Sequence, residues 1–181
     1  NSASKSARLP QVVNALSASG YSAAVNYPAT SAAGIAAGDF NGDGIPDLAF
    51  TSGSNVGVLL GNSDGTFQPV AYYFTGGANA AVAVVDLDGD GNQDLAVAGF
   101  DGMLHILPGW GDGTFGAVGS YPAGPAGFGN PNSVVAADFN ADGKADVASA
   151  NQSGTISVFL GTGDGSLQPA LSFGTAFGHN T

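Results

Sequence analysis

The 181-residue sequence contains no cysteine and no glutamate, and only three of its residues are lysine or arginine. Without cysteine it can form neither a disulfide framework nor a thiolate metal site. A net charge of −11 with three scattered cations argues against a nucleic-acid partner and against an anionic membrane surface, because little in the chain could neutralise phosphates. The apolar runs, such as 80–85, are far too short for membrane insertion.

The residues that are present indicate a folded protein. Apolar residues make up 44% of the chain, enough to bury a core, so the acidity does not indicate disorder. All 14 acidic residues are aspartate, and 30 residues are glycine, which is more than twice the usual share of about 7%.

Two sequence signals repeat three times in the same phase. A cluster of aspartates begins at Asp39, Asp86 and Asp138, at spacings of 47 and 52 residues. An Asp-Gly pair follows each leading aspartate after 25 or 26 residues. The aspartates of these pairs are Asp64, Asp112 and Asp164. Two signals in one phase over three copies indicate a repeated structural unit.

Each unit is predicted to hold four short strands. Apolar runs lie before and after each aspartate cluster, and before and after each Asp-Gly pair, which is typical of a type I′ hairpin turn. No segment shows a capped helical stripe. The fourth strands are expected at 67–74, 115–121 and 167–173. Four antiparallel strands every ~40–50 residues predict an all-β fold made of β-propeller blades.

About three and a half blades fit in the chain. Residues 1–10 are interpreted as a linker or disordered N-terminus, and 11–181 as a single β-propeller region. Within it we expect a partial blade at 11–30 and full blades at 31–75, 76–125 and 126–177. Because a closed propeller takes about 4–8 blades, either the chain is part of a longer array or it forms a homo-oligomer that completes the ring.

The aspartate clusters share the pattern Asp-x-(Asn/Asp)-x-Asp-Gly-x-x-Asp. Side chains at positions 1, 3, 5 and 9 and the carbonyl at position 7 supply only oxygen, which suits Ca²⁺ better than other common ions. We therefore predict three Ca²⁺ sites, one per complete blade. Their ligands are Asp39, Asn41, Asp43, Ile45 and Asp47; Asp86, Asp88, Asp90, Asn92 and Asp94; and Asp138, Asn140, Asp142, Lys144 and Asp146.

A polar turn is the alternative for any one cluster, but three copies with every ligand position filled favour a metal site. An EF-hand is excluded because it needs glutamate at position 12 and helices on both sides. Position 12 holds Phe50, Val97 or Ser149, and the flanking runs are predicted strands. Ala141 replaces glycine at position 4 of the third cluster, a small departure from the pattern.

The segment from Asp39 to Ala49, followed by 58–69, resembles the FG-GAP repeats of the integrin α-subunit propeller, and more closely their bacterial VCBS-type version. The resemblance covers roughly residues 21–177. It implies a propeller whose loops between the first two strands of each blade bind Ca²⁺. It also implies a secreted or cell-surface protein for adhesion or ligand binding; some members are lectins and others are appended to enzymes.

The sequence predicts a non-catalytic protein. Two histidines, His105 and His179, leave little material for acid–base chemistry, and His105 is interpreted as a packed strand residue. Trp110 lies in a predicted hairpin tip, where it could stack on a sugar, anchor a partner or cover a neighbouring blade. The leading hypothesis is an extracellular calcium-stabilised propeller that binds a protein or glycan ligand. The alternatives are a lectin and an accessory domain of a secreted polysaccharide-active enzyme.

Overall fold

The computed structural model describes residues 25–27, 29, 31–124 and 130–174, and within these ranges it contains strands and turns but no helix. The predicted linker, His179 and most of the predicted partial blade lie outside the described residues. Twelve strands form three sheets. Their bounds are β1 Ile35–Gly38, β2 Asp47–Ser52, β3 Asn55–Leu59, β4 Ala71–Phe74, β5 Asn79–Val85, β6 Asp94–Gly99, β7 Met103–Leu107, β8 Gly119–Pro122, β9 Pro131–Ala137, β10 Asp146–Asn151, β11 Thr155–Phe159 and β12 Leu171–Gly174.

Each sheet is one propeller blade of four antiparallel strands in chain order, which confirms the predicted fold class. Blade 1 contains β1–β4, blade 2 contains β5–β8 and blade 3 contains β9–β12. The second strand of the middle blade is covered on both faces, and every residue of β6 is buried. This is why the sequence of β6 is apolar without strict alternation.

The blades pack face to face through two apolar clusters. We call the face of a blade that points to the following blade its forward face, and the opposite one its rear face. Between blades 1 and 2, Phe40 and Val58 of the forward face pack with Leu107 and Phe115 of the rear face. The second cluster joins blades 2 and 3 in the same way, with Leu87 on the forward face of blade 2. The core therefore lies between sheets.

The sequence predicted type I′ turns for the Asp-Gly hairpins, and this prediction is wrong. That turn requires a positive φ at both central residues, but only Gly65 has one, at 80°. The loop is instead closed by the N–H of Asn62, which donates to Thr66 O at 2.8 Å, while Gly65 N–H donates to Asn62 O. Asp64 keeps a negative φ because its carboxylate accepts the Thr66 N–H at 3.0 Å, as in an Asx turn.

The fourth strands are shorter than predicted. Phe67 forms only an isolated bridge with Gly61, and β4 begins four residues later, at Ala71. Between them the N–H of Gln68 donates to Leu60 O, and Pro69 has no N–H with which to continue the ladder. The other two blades show the same bridge followed by a break.

Candidate metal centres

The three aspartate clusters form the loops that join the first and second strands of each blade. The loops span 39–47, 86–94 and 138–146, so each predicted ligand set lies within one loop. Among the described residues, only the second loop brings oxygens of three carboxylates within 4.8 Å of one another. In a four-stranded meander, the β1–β2 and β3–β4 connections lie at the same end of the strands. The aspartate loops and the Asp-Gly hairpins therefore lie at the same end of each blade.

The aspartate at position 9 is buried in every blade and accepts two backbone hydrogen bonds. Asp47 accepts from Phe40 N at 2.8 Å through Oδ2 and from Gly61 N at 2.7 Å through Oδ1. Asp94 and Asp146 make the equivalent pairs of bonds. Each carboxylate thus ties the second residue of its loop to the end of the third strand, a role that the sequence interpretation, which treated it only as a ligand, missed.

The side chains at positions 1, 3 and 5 hold the rest of the loop. In the second blade, Asp86 accepts from Gly89 N at 2.8 Å and from Gly91 N at 3.1 Å. Asp90 accepts from Asn92 N at 2.7 Å, which fixes the position-7 residue beside the carboxylates. The Ile45 and Lys144 N–H groups donate to the position-5 aspartates of their own loops in the same way.

The backbone of the loops requires left-handed conformations. Glycines at position 6 have φ between 78° and 90°, and at Gly44 no atom crowds the place of a Cβ, so the requirement is conformational. Position 4 also takes a positive φ, which Ala141 adopts at 61°. A left-handed alanine costs roughly 1–2 kcal/mol, so the third loop keeps its shape at the expense of backbone strain.

The residues fit a hard divalent cation. In the second loop, one oxygen from each of Asp86, Asp88 and Asp94 lies within 4.8 Å of the others. Asp94 already accepts an N–H at each oxygen, but a carboxylate oxygen has a second lone pair for a metal. Burial raises the pKa of Asp94, and the neighbouring Asp88 and Asp86 carboxylates raise it further. The two N–H groups that donate to Asp94 oppose this shift by lowering its pKa. A cation would relieve that repulsion.

The first and third loops carry one carboxylate fewer, because position 3 is asparagine. Asn41 donates from Nδ2 to Asp43 Oδ2 at 3.0 Å, and Asn140 donates to Asp142 at 3.1 Å. Each amide oxygen stays on the inner side of its loop, where it accepts the N–H of the position-5 residue. The three donor sets therefore differ in charge but not in the type of ligand atom.

Contacts from the following blade also hold the first loop. Gln93 of blade 2 accepts the Asp39 N–H at 2.9 Å, and Gly113 N–H donates to Phe40 O at 2.8 Å. No sequence pattern within one repeat could have revealed these bonds, because they join different repeats.

The aspartates of the hairpins serve the turns. Asp64, Asp112 and Asp164 each accept the N–H and the hydroxyl of the residue two positions later. Those hydroxyl and N–H donors lower the pKa of all three, and that of Asp164 to about 2.

His105 is a packed strand residue on the rear face of blade 2, only 2% exposed. Its Nδ1 lies 2.9 Å from Ser120 Oγ and its Nε2 lies 3.2 Å from Asp101 Oδ2. Burial lowers the pKa of His105, while the Asp101 carboxylate opposes that effect. The pair gives Asp101 a role that the repeat pattern did not predict.

Trp110 is 63% exposed at the hairpin tip of blade 2, so the described neighbouring blades do not cover it. Its ring lies beside Gly116, where an added Cβ would come 2.9 Å from the indole and 3.0 Å from the Pro108 side chain. Part of the indole thus lies against the backbone of its own hairpin, while most of the side chain is exposed.

Comparison with known proteins identifies the repeat. The family model described as FG-GAP-like repeat matches residues 39–97, 86–149 and 138–181. No curated protein matches the chain.

Among solved structures, the chain is similar to a complex of BBS1N with ARL6DN, with a TM-score of 0.55, 13% identity, and coverage of 85% of this chain and 43% of that one. It is also similar to an Agrocybe aegerita lectin that recognises non-reducing terminal N-acetylglucosamine, with a TM-score of 0.52, 25% identity, and coverage of 75% and 36%. The chain therefore spans less than half the length of these proteins.

The structure predicts that the Asp94 carboxylate stabilises blade 2 without any metal. In Asp94→Asn, the side-chain NH₂ group would face one of the two backbone N–H groups, so that this N–H would lose its acceptor. We expect the free energy of unfolding, measured by urea denaturation in EDTA, to fall by about 1.5–3 kcal/mol. Asp64→Asn is the matched control, because an amide oxygen can still accept the Thr66 N–H. Equal stability of both variants would contradict the role of Asp94.

Because His105 is buried, we expect it to make a contribution to the free energy of unfolding that is lost in acid. Because its pKa is lower in the folded state than in the unfolded one, the unfolded chain takes up the proton first as the pH falls. This contribution is complete above the ordinary histidine pKa of about 6.5 and is lost as the pH falls through the lower folded value. The Tm should therefore decrease more between pH 7.5 and pH 5.5 in the wild type than in His105→Gln. Identical decreases would contradict it.

Proposed function

The chain belongs to the FG-GAP-like repeat family, and we propose that it is a calcium-stabilised, non-catalytic propeller module that binds a protein or glycan outside the cell. One observation carries the proposal: three loops of the same design place oxygen-bearing side chains beside a buried carboxylate, and in the second loop one oxygen from each of Asp86, Asp88 and Asp94 lies within 4.8 Å of the others. The family match fixes the repeat and the propeller fold, whereas calcium and the extracellular role are the proposed parts.

The charge distribution supports a cation in each loop. Ten of the 14 aspartates lie in the three loops. Two carboxylates at 4 Å repel by roughly 1–4 kcal/mol for effective dielectric constants between 80 and 20. Three Ca²⁺ ions would change the formal charge of the chain from −11 to −5. The flexible oxygen shell suits Ca²⁺, whereas Mg²⁺ demands a stricter octahedron.

The proposed ion would act on the architecture of the blade. Each loop joins the first two strands, and its position-9 aspartate already reaches the end of the third. A cation bound by the same aspartate and the loop side chains would strengthen this connection between the first three strands of the blade. Sites of extracellular modules bind at about 10⁻⁴–10⁻³ M, so they fill outside the cytosol. This favours a secreted or cell-surface location.

Glycan binding is the second candidate, and the exposed Trp110 favours it. An indole that lies beside Gly116 and is 63% exposed offers a flat apolar platform to a sugar ring. The similarity to the Agrocybe aegerita lectin adds support from a solved structure of the same architecture.

Calcium removal is predicted to destabilise the protein. Each site would contribute about 1.4 kcal/mol when free Ca²⁺ is tenfold above its dissociation constant. EDTA should lower the Tm, and Ca²⁺ should restore it better than Mg²⁺. In calorimetric titration, Asp86→Ala should bind about one Ca²⁺ fewer than the wild type, while the hairpin variant Asp112→Ala keeps the full number. An unchanged Tm in EDTA would refute structural calcium.

Trp110 is the only tryptophan of the chain, so its fluorescence reports directly on the proposed sugar platform. If a glycan stacks on the indole, adding N-acetylglucosamine oligosaccharides should change the emission, and a glycan array should lose its signal in Trp110→Ala. The control Phe100→Ala removes an exposed aromatic ring elsewhere on blade 2. Array binding that survives in Trp110→Ala would place the glycan site elsewhere.

A further inference from the structure

The forward face of blade 3 is apolar and exposed, unlike the same face of the other two blades. Phe139 is 49% exposed, whereas the equivalent residues Phe40 and Leu87 are 2% and 1% exposed. Ile156 is 45% exposed, whereas Val56 at its equivalent position is fully buried. In blades 1 and 2 these positions are covered by the rear face of the next blade. The third face thus has the composition of an interface.

The rear face of blade 1 carries the complementary surface. Ile35, Leu48, Phe50 and Leu59 occupy the positions at which blade 2 uses apolar side chains to pack on blade 1. Here they line a groove of about 320 Å³ in which Ile35 is 66% exposed, whereas Phe50 and Leu59 are only 5% and 4% exposed. One chain therefore carries both halves of an inter-blade interface.

The aromatic contacts show what the rear face of blade 1 lacks. In the interface between blades 1 and 2, Phe115 meets two rings edge-on, Phe40 at 5.5 Å and Tyr73 at 5.4 Å. The equivalent Phe67 meets only Tyr27, at 5.4 Å, within the described chain. Among the described residues, no ring takes beside Phe67 the place that Phe40 takes beside Phe115, and Phe139 is the exposed ring at the Phe40 position of blade 3.

We propose that the forward face of blade 3 docks on the rear face of blade 1 of a second copy, and that two copies close into one ring. The new contact repeats the two inter-blade interfaces within the chain, with Phe139 placed beside the partner's Phe67. Two copies provide six complete blades, within the range of about 4–8 for closed propellers, whereas three would exceed it. Head-to-tail contacts of this kind form rings when the rotation closes. The docking does not depend on the proposed calcium or glycan binding.

Tyr27 defines how the incoming blade fits. It repeats the contact of Tyr73, so it already fills the fourth-strand aromatic position of a preceding blade. Its hydroxyl also accepts the Phe67 N–H at 2.9 Å, as Tyr121 accepts the Leu167 N–H at 3.3 Å. The incoming blade therefore meets blade 1 through β9–β11, and Tyr27 takes the place of its Phe173. Strand β12 stays paired with β11 along its whole length, but all four of its residues are exposed, so no buried side chain fixes its outer edge against Tyr27.

Sedimentation of the wild-type chain tests the ring. We expect the wild type to have a mass of twice 17.6 kDa. The variant Phe139→Asp should be a monomer whose circular dichroism spectrum is unchanged. Phe100→Asp is the matched control, an exposed phenylalanine in a turn of the middle blade, and should remain dimeric. A monomeric wild type would overturn the proposal and mean that another protein segment covers these faces. Masses above two chains, or equal dissociation of both variants, would also overturn it.

Engineered cysteines test the register of the contact, since the chain has no cysteine of its own. A Cβ added to Gly165 would lie 3.7 Å from Asp88 Cβ across the interface of blades 2 and 3, within the disulfide range. The equivalent pair across two copies is Asn140 and Gly65. Asn140→Cys with Gly65→Cys should give a covalent dimer, and Asp88→Cys with Gly165→Cys an internal disulfide. Gly65 and Gly165 both have a positive φ, so the backbone strain caused by a cysteine is the same in the two double variants. Free thiols in the first variant would overturn the proposed register.

Discussion

The structure depends on a buried carboxylate that accepts two backbone hydrogen bonds in each blade. Asp47, Asp94 and Asp146 fix the start of the aspartate loop against the end of the third strand. Without that connection the loop would lose its link to the third strand of its own blade. The same bond to position 2 sets the backbone of Phe40 and Leu87, whose side chains fill the interfaces between blades.

This connection also bears on the cation proposed for the loops. A buried carboxylate lies beneath two or three further aspartates, and the burial that lets Asp94 join the strands raises its pKa. Stability of the blade and the proposed binding of a divalent ion would therefore depend on the same residue. The interfaces are built separately, from apolar faces that repeat along the chain. The forward face of blade 3 is exposed at one end of the described stack, and the groove beside Ile35 lies at the other end.

The parts of the fold that repeat within one unit could be predicted from the sequence. The phased aspartates and Asp-Gly pairs led to four-stranded blades, because each pattern is local and occurs three times. Features that depend on contacts across the repeat were not predictable in this way. The turn at Asp64 has a different geometry because the carboxylate caps Thr66. His105 finds its partner Asp101 in an adjacent turn, and Gln93 holds the loop of another blade. The double bonding of Asp94 needs the folded distance between two strands, which spacing alone does not give.

Anomalous scattering from crystals grown in calcium would reveal the proposed ions. Three peaks are expected, one in each aspartate loop, with oxygens of positions 1, 3, 5, 7 and 9 at about 2.3–2.6 Å from the ion. Loops that keep the geometry described here but show no anomalous signal in saturating calcium would contradict the proposal.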